Sequence, residues 1–219
     1  MKKRNFAVIG LGTFGTTVAR ELAQMGNSVL GIDCEEGPVS RLADTITEAL
    51  IADARDEEAL RDAGVGSCDV AVIAIGEDIE ASIICTMNAK MLGVSCIWVK
   101  AITKMHHRIL SKLGADRVIE PEQEIGQHVA QKLNNPLIRD YLTLGNGFTI
   151  IDVRVPDGKD GERIDALVLP SDADLRCLGV MRGTEFLSCA SGELLLETAD
   201  KLLLLGRPQA LRDFGKRLL

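Results

Sequence analysis

The sequence predicts an α/β protein with a Rossmann-like, doubly wound parallel sheet, followed by a smaller α+β lobe. In the first two thirds, short apolar runs alternate with segments of helical period, which is typical of parallel strands joined by crossover helices. These runs are apolar on both faces, as in strands covered on two sides. After Pro136 the pattern changes to strands that alternate between apolar and polar residues.

Six parallel strands are predicted from the apolar runs, several of them rich in valine and isoleucine. They are Phe6–Ile9, Val29–Asp33, Ala49–Asp53, Val70–Ile75, Cys96–Lys100 and Arg117–Ile119. Six helices are predicted from the segments of helical period. They are Thr13–Met25, Val39–Ala43, Glu57–Ala63, Ile79–Leu92, Lys104–Leu113 and Glu122–Leu133. Gly26, Gly93 and Gly114 each follow a helix, as C-terminal caps do, and the last helix stops at Asn134-Asn135-Pro136.

The C-terminal part is predicted to form a small lobe with half-buried strands. Phe148–Val155 alternates apolar and polar residues and precedes a turn at Pro156-Asp157-Gly158. The remaining elements are a short helix at Arg163–Leu169, strands at Cys177–Met181, Glu185–Cys189 and Leu202–Leu205, and a helix at Pro208–Leu218. We therefore expect a first domain at 1–136, a connector at 137–147 and a C-terminal lobe at 148–219.

Composition and charge exclude several classes of protein. The 219 residues are 46% hydrophobic and 26% charged, as in globular proteins. With 25 basic and 32 acidic residues, the formal net charge of -7 disfavours binding to nucleic acid or to anionic lipid. No apolar run approaches the roughly 18 residues that span a bilayer, and the apolar stretch near the start is too short for a signal peptide. The six cysteines form no CxxC pair, which favours free buried thiols in a cytoplasmic protein.

A glycine-rich motif is the strongest chemical signal. Gly10-Leu11-Gly12-Thr13-Phe14-Gly15 is a GxGxxG that directly follows a predicted strand and opens a predicted helix. In this motif the first glycine allows the tight turn, the second lets the backbone approach a pyrophosphate, and the third lets the helix pack against the strand. The positive end of the helix favours phosphate. The motif therefore predicts a site for a nucleotide.

Acidic and small residues at the ends of the next strands extend this site. Asp33 closes the second strand 21 residues after Gly12, where it can accept hydrogen bonds from ribose hydroxyls. Cys34 and Glu35 follow it and supply no arginine for a 2′-phosphate, so NADP is disfavoured against NAD(H), ATP or ADP.

The third and fourth strands provide the remaining candidates. Asp53, with Ala54, lies at the expected adenine end, although Asp53 could equally cap the helix that starts near Arg55. The small residues of Ala74-Ile75-Gly76 would let a nucleotide lie against the sheet edge. The acids that follow, Glu77 and Asp78, fit the first turn of the next helix.

No catalytic residue is predicted. A dehydrogenase needs an acid or base group near the nicotinamide, but His106, His107 and His128 all fall in helical segments, at solvated or partly buried positions. A small NAD(H)-dependent oxidoreductase remains an alternative function. A transcriptional regulator would need a helix-turn-helix and a basic face, and the sequence has neither.

Four segments resemble the regulatory subunits of Trk/Ktr-type potassium uptake systems, which carry RCK (regulator of potassium conductance) domains. They are FAVIGLGTFG, VAVIAIGEDIEAS, IWVKA and LSKLGADRVIEPEQEIG. The block from Gly114 to Glu122 is the most discriminating, because general dinucleotide enzymes lack it. The resemblance covers nearly the whole first domain, and the C-terminal lobe is similar in length and strand pattern.

The resemblance implies a homo-oligomer, from a dimer to an octameric ring, on the inner face of the plasma membrane beneath a pore subunit of the TrkH/KtrB type. Binding of ATP or ADP, with NAD(H) as the alternative, would change the ring and so the conductance of the pore. Lys100 would lie at the far end of the sheet, near the paired subunit. Glu122 matches a ligand of a divalent cation between subunits, although a first-turn helix acid would look the same.

One position departs from the family pattern. Several ATP-responsive members carry an arginine, which reaches the terminal phosphate, where this chain has Thr13. Arg55 or a neighbouring subunit could replace it, and the departure raises NAD(H) as an alternative ligand. The segment from Phe148 to Leu219 contains no phosphate-binding signature, so no second nucleotide site is predicted in the lobe.

Overall fold

The computed structural model describes residues 3–134, 138–168, 174–189 and 193–218. Contacts within the chain divide it into two units, Met1–Gln123 and Glu124–Leu219. The division therefore falls earlier than the expected boundary at 136. Helix α6 begins before the division and continues beyond it, and a strand occupies most of the expected connector. Leu137 and Leu169, which bound predicted elements, lie outside the described residues.

The first unit is built on a parallel sheet with the strand order β3-β2-β1-β4-β5-β6. Its strands are β1 Asn5–Ile9, β2 Ser28–Asp33, β3 Glu48–Ile51, β4 Val70–Ile73, β5 Ile97–Lys100 and β6 Arg117–Ile119. The helices are α1 Thr13–Gln24, α2 Glu36–Leu42, α3 Glu57–Asp62, α4 Ile79–Met91, α5 Lys104–Leu113 and α6 Pro121–Asn134, with a 3₁₀ turn at Val65–Ser67. The predicted doubly wound α/β fold is confirmed.

Apolar residues on both faces of this sheet are buried. In β1, Ala7 and Ile9 belong to one hydrophobic cluster, whereas Val8 between them belongs to another. Since alternate residues of a strand point to opposite faces, helices must cover the sheet on both sides. This arrangement explains why the strands have continuous rather than alternating apolar sequences.

The second unit contains an antiparallel sheet with the strand order β10-β9-β11-β8-β7. Its elements are β7 Ile138–Gly145, β8 Phe148–Arg154, α7 Ile164–Leu167, β9 Leu175–Arg182, β10 Glu185–Leu187, β11 Lys201–Gly206 and α8 Pro208–Leu218. Leu211, Phe214 and Leu218 of α8 are buried in a core shared with β8, β9 and β11. The expected α+β lobe is present, with one strand more than predicted.

The additional strand is β7, which forms an edge of this sheet. It is joined to β8 by Asn146 and Gly147, which have φ values of 51° and 79°. Two successive residues with positive φ are the signature of the type I′ turn that closes tight hairpins. Leu142 and Leu144 in β7 are exposed, so these two leucines do not mark a buried face from which the strand could be predicted.

Candidate functional site

The glycine-rich loop lies between β1 and α1, beside the point where the strand order reverses. The chain runs outward from β1 through β2 to β3 and then returns to β4 on the other side of β1. In open parallel sheets the crevice at the carboxyl ends of such strands is where ligands bind. The candidate site is at this crevice in the first unit.

The three glycines of the loop differ in what surrounds them. Gly10 has a φ of 91°, and a Cβ there would lie 2.9 Å from the Ile75 backbone nitrogen. A Cβ on Gly15 would lie 1.8 Å from the carbonyl oxygen of Gly10, so α1 packs directly on the loop. A Cβ on Gly12 would meet nothing within 4 Å. The protein itself therefore requires glycine at two of these positions, and only Gly12 is left with open space.

The N-terminus of α1 faces the crevice without a side-chain cap. Its N-cap is Gly12, and its first turn carries no acidic residue. The first N–H groups of a helix have no partner within the helix and carry partial positive charge, so they favour an anion. Thr13 and Phe14, the first two helical residues, both line the crevice. The loop therefore offers backbone donors rather than charged side chains.

Asp33, at the end of β2, is bonded to the loop. One carboxylate oxygen accepts a hydrogen bond of 2.6 Å from the backbone N–H of Leu11, and the other accepts one of 3.0 Å from that of Glu35. A carboxylate has about four lone-pair sites, so both oxygens can still accept from hydroxyl groups of a ligand. The exposed side chains of Cys34 and Glu35 follow at the edge of the crevice.

Asp53 and Arg55 form an ion pair at the wall beyond Asp33. The closest nitrogen and oxygen are 2.8 Å apart, and the hydrogen bonds from Arg55 lower the pKa of Asp53 below its ordinary value. One of our two interpretations of Asp53, that it caps the next helix, is wrong. Asp56 caps it instead, since its carboxylate accepts from the N–H groups of Glu58 and Ala59.

Residues after β4 and β5 form the opposite end of the crevice. Lys100 is largely buried and pairs with Glu122 at 2.5 Å, and this hydrogen bond lowers the pKa of the Glu122 carboxyl. The Lys100 nitrogen also lies 5.9 Å from the centre of the Phe14 ring. A Cβ on Gly76 would lie 3.0 Å from the Lys100 side-chain nitrogen, so the glycine leaves room for the lysine. Asp78 caps α4 through the N–H of Ala81.

Together these walls enclose a cleft of about 750 Å³, within the range of small-molecule sites. Fourteen predicted site residues line it: Gly10, Gly12, Thr13, Phe14, Asp33, Cys34, Glu35, Asp53, Ala54, Ala74, Ile75, Gly76, Lys100 and Glu122. Leu11 and Gly15 do not line it. Leu11 is buried in the hydrophobic cluster that contains Val8, and Gly15 packs behind the loop. The described residues that line the cleft all belong to the first unit.

Nine residues that line the cleft were not among the predicted site residues. They are Ile9, Thr17, Ile32, Pro38, Ala52, Arg55, Glu77, Asp78 and Ala81. Ile9 and Ile32 lie at or next to strand ends, and Ala52 directly follows β3, so the rule that ligands bind at the carboxyl ends of parallel strands could have found them. Six carboxylates and two cationic side chains line the cleft, and both cations are paired with one of these carboxylates.

No group of three or more histidine, cysteine, aspartate or glutamate side chains in the described ranges is arranged to hold a metal ion. None of the helices in those ranges is long and apolar enough to cross a membrane.

His106 is completely buried, contrary to our expectation, and of the cysteines only Cys85 is buried while Cys34 is exposed.

Comparison with protein families and with individual sequences finds relatives of known type. A family model described as the TrkA-N domain matches residues 6–121. A Ktr system potassium uptake protein A of Vibrio alginolyticus is 34% identical over 215 residues, which are 98% of each chain. The protein of the same description from Bacillus subtilis (strain 168) is 32% identical over 214 residues, which are 98% of this chain and 96% of the relative.

Among solved structures, the fold is similar to that of RCK domains. The GsuK RCK domain aligns with 98% of this chain at a TM-score of 0.66 and 14% identity. The aligned region is 47% of that longer chain. The GsuK channel bound to NAD aligns with all of this chain and 39% of its own, at a TM-score of 0.57 and 19% identity. At these identities the likeness concerns the fold alone.

Proposed function

Because this chain belongs to the TrkA-N domain family, we propose that it is a nucleotide-binding regulatory subunit that controls a separate, membrane-embedded potassium channel or transporter. The observation that carries this proposal is the similarity to Ktr system potassium uptake proteins, which extends over 98% of both chains at 34% identity. The cleft supplies the physical means, since it combines backbone donors for phosphate with a carboxylate for ribose.

The proposed ligand is an adenosine nucleotide, with ATP or ADP favoured and NAD(H) as the alternative. The adenine would lie near Asp53 and Ala54, and the ribose would donate its hydroxyl hydrogens to Asp33. The phosphates would follow the backbone of Gly12 and Thr13 towards Lys100. A 2′-phosphate beside Asp33 would meet a carboxylate rather than an arginine, which disfavours NADP.

A terminal phosphate would have to compete for the cationic side chains of the cleft. Arg55 could take the place of the arginine that several ATP-responsive members carry at the position of Thr13. It is bonded to Asp53 at 2.8 Å, however, and would have to leave that partner. Lys100 is likewise bonded to Glu122. A nucleotide that binds with its full charge therefore exchanges ion pairs in both walls, and we propose that this exchange is how ligand charge alters the shape of the cleft.

A divalent cation at Glu122 is part of the proposal, and this chain alone would hold it weakly. Glu122 is bonded to Lys100, and no group of three or more histidine, cysteine, aspartate or glutamate side chains in the described part of the chain is arranged to hold a metal ion. Divalent cations of the hard type take six or more oxygens, so phosphate oxygens and a second subunit would have to supply most of them. Binding of the cation should then depend on both nucleotide and assembly.

Assembly into a homo-oligomer would use the apolar side chains that the helices expose. On α6, Ile125, Val129 and Leu133 are exposed and spaced four residues apart, so they form one stripe along the helix. On α4, Met87 and Met91 are exposed with the same spacing. Contiguous exposed apolar surface is typical of protein contacts. We propose a dimer, or a ring of paired dimers, bound from the cytoplasmic side to a TrkH/KtrB-type pore subunit.

The nucleotide would act by changing the balance between two shapes of the assembly. A ligand shifts such a balance only by the difference in its affinity for the two shapes. A difference of about 1.4 kcal/mol at one site changes its equilibrium tenfold, and coupled sites multiply the effect when the ring switches together. No chemical change of the nucleotide is needed for this role.

Binding is tested by calorimetry with ATP, ADP and NADH on the wild type, Asp33→Asn and Asp44→Asn. Asp44 is an exposed acid outside the cleft and serves as the matched control. Asp33→Asn should weaken all three ligands at least tenfold, because hydrogen bonds to a charged group contribute about 1.5–3 kcal/mol each. Equal binding by the two variants would remove Asp33 from the site.

Regulation is tested with a TrkH/KtrB-type pore reconstituted in vesicles. Addition of this protein should make potassium flux depend on nucleotide, and the Asp33→Asn variant should abolish that dependence.

Incubation with NADH and carbonyl substrates should leave the absorbance at 340 nm constant. Steady oxidation of NADH would favour the oxidoreductase, the alternative function.

A further inference from the structure

A buried asparagine connects two walls of the cleft from behind. Asn88 lies on α4 with 7% of its surface exposed. Its side-chain nitrogen donates to the carbonyl oxygens of Ala54, at 3.3 Å, and of Arg55, at 3.1 Å. A carboxamide nitrogen has two hydrogens, so these two bonds use both. Since both partners are acceptors only, the amide must present its nitrogen to them.

The two carbonyls belong to the loop between β3 and α3, and Ala54 and Arg55 line the cleft. On α4, Ala81 lines the cleft as well. Asn88 follows Ala81 by seven residues, which is about two turns, so both lie on one side of the helix. The asparagine therefore sets the distance between α4 and the wall that also carries Asp53.

An asparagine is an expensive choice at this position. Its helix propensity is below that of alanine or leucine, and a buried carboxamide without partners costs free energy. The neighbouring buried positions of α4 facing the core, Cys85 and Ala89, are small or apolar. The bonds to the loop offset this cost, and they join segments more than 30 residues apart in the chain.

We propose that Asn88 is a positioning residue of the nucleotide cleft, through which a ligand that contacts the Ala54–Arg55 wall also restrains α4. The inference rests on the proposed binding of an adenosine nucleotide. The consequence reaches the surface, because α4 exposes Met87 and Met91 on either side of this position along the helix. Occupancy of the cleft would thus alter the rigidity of a helix that carries part of the exposed apolar surface.

The test compares Asn88→Ala with Thr86→Val in the full chain. Thr86 is also buried on α4, but its hydroxyl donates to the Ser82 carbonyl of the same helix at 2.7 Å and does not reach the loop. Calorimetry with AMP and with ATP should show both dissociation constants raised about tenfold in Asn88→Ala, because both ligands carry the adenosine that is proposed to contact the Ala54–Arg55 wall. Thr86→Val should bind both like the wild type.

Hydrogen exchange supplies a readout that a purely structural role would leave unchanged. AMP should slow the exchange of α4 amides in the wild type and in Thr86→Val, and this protection should be lost in Asn88→Ala. Asn88→Gln keeps the two donors on a longer side chain and should recover part of the affinity. Asn88→Gln also takes the place of Asn88→Ala as the test variant if Asn88→Ala does not fold.

The outcomes separate the inference from the proposed function. If Asn88→Ala and Asn88→Gln bind AMP like the wild type and keep the protection of α4, the positioning role is wrong while the nucleotide site stands. If the wild type binds none of AMP, ATP and NADH, the proposed function fails and the inference fails with it.

Discussion

The glycine-rich loop allows the fold and the ligand site to be perturbed separately with two alanine substitutions. In Gly15→Ala the new Cβ would lie 1.8 Å from the Gly10 carbonyl oxygen, against an ordinary contact above 3 Å. The obstacle is backbone, so the loop or α1 must move by more than 1 Å. Overpacking costs about 1–3 kcal/mol where side chains can adjust, and a rigid obstacle places this variant at or above about 3 kcal/mol.

Gly12→Ala should behave in the opposite way. Its φ of −63° and ψ of −171° suit any residue, and the Cβ would meet no atom within 4 Å. The free energy of unfolding should therefore change by less than about 1 kcal/mol, since the weaker N-cap is offset by a less flexible unfolded chain. The added methyl group enters the space that the pyrophosphate would occupy, so nucleotide affinity should fall at least tenfold.

The assay is thermal unfolding without ligand, followed by calorimetry with ADP. At about 2–4 °C per kcal/mol, Gly15→Ala should lower the midpoint by roughly 6–12 °C or more, and Gly12→Ala by a few degrees at most. A Gly15→Ala protein with the wild-type midpoint would refute the packing argument. Undiminished ADP binding by Gly12→Ala would refute the location of the phosphates.

Three further predictions concern groups away from the loop. Burial tends to raise the pKa of Asp200, but hydrogen bonds from Arg182 at 2.8 and 3.0 Å and from the Glu197 N–H outweigh it, so the pKa lies below the ordinary value. Arg182→Met should lower the free energy of unfolding in urea by about 3 kcal/mol at pH 7. The stabilisation by the ion pair should be lost as the pH falls below about 4. A variant as stable as the wild type at pH 7 would contradict this. Burial lowers the pKa of His106, whose ring nitrogens have no partner among the described residues, so the unfolded chain binds the proton more tightly and stability should fall as the pH drops below about 6.5. His106→Leu should flatten this part of the stability curve, and an unchanged slope would exclude His106 as its source. Burial raises the pKa of the Cys85 thiol to about 12, so iodoacetamide at pH 8 should label it more slowly than the exposed Cys34, as peptide mass spectrometry can check.

The parallel sheet could be predicted because its signals are local. Buried strands, C-terminal glycines and the GxGxxG loop each occupy a few consecutive residues, and the predicted bounds of α5 and β6 match the observed ones. The β7–β8 hairpin was missed even though Asn146-Gly147 is a strong hairpin signal. The exposed side chains of Leu142 and Leu144 follow the alternation of a strand but do not face a core.

The cleft was less predictable where it depends on distant contacts. Asp53 and Asp56 both precede α3, and sequence alone could not decide which of them caps the helix. The structure assigns the cap to Asp56 and leaves Asp53 to Arg55. The bonds from Asn88 to the Ala54–Arg55 loop cross more than 30 residues of chain, and no local pattern indicates them.

The carboxylate of Asp33 is shared between the loop and the proposed ribose, and this sharing constrains how the protein can evolve. A replacement that suits a different sugar but cannot accept from the Leu11 N–H would also loosen the turn that is proposed to receive the phosphates. A descendant of this chain that changes its nucleotide preference should therefore keep Asp33. Its substitutions should accumulate first at Thr13 and Glu35, which line the cleft without bonding their side chains to the loop.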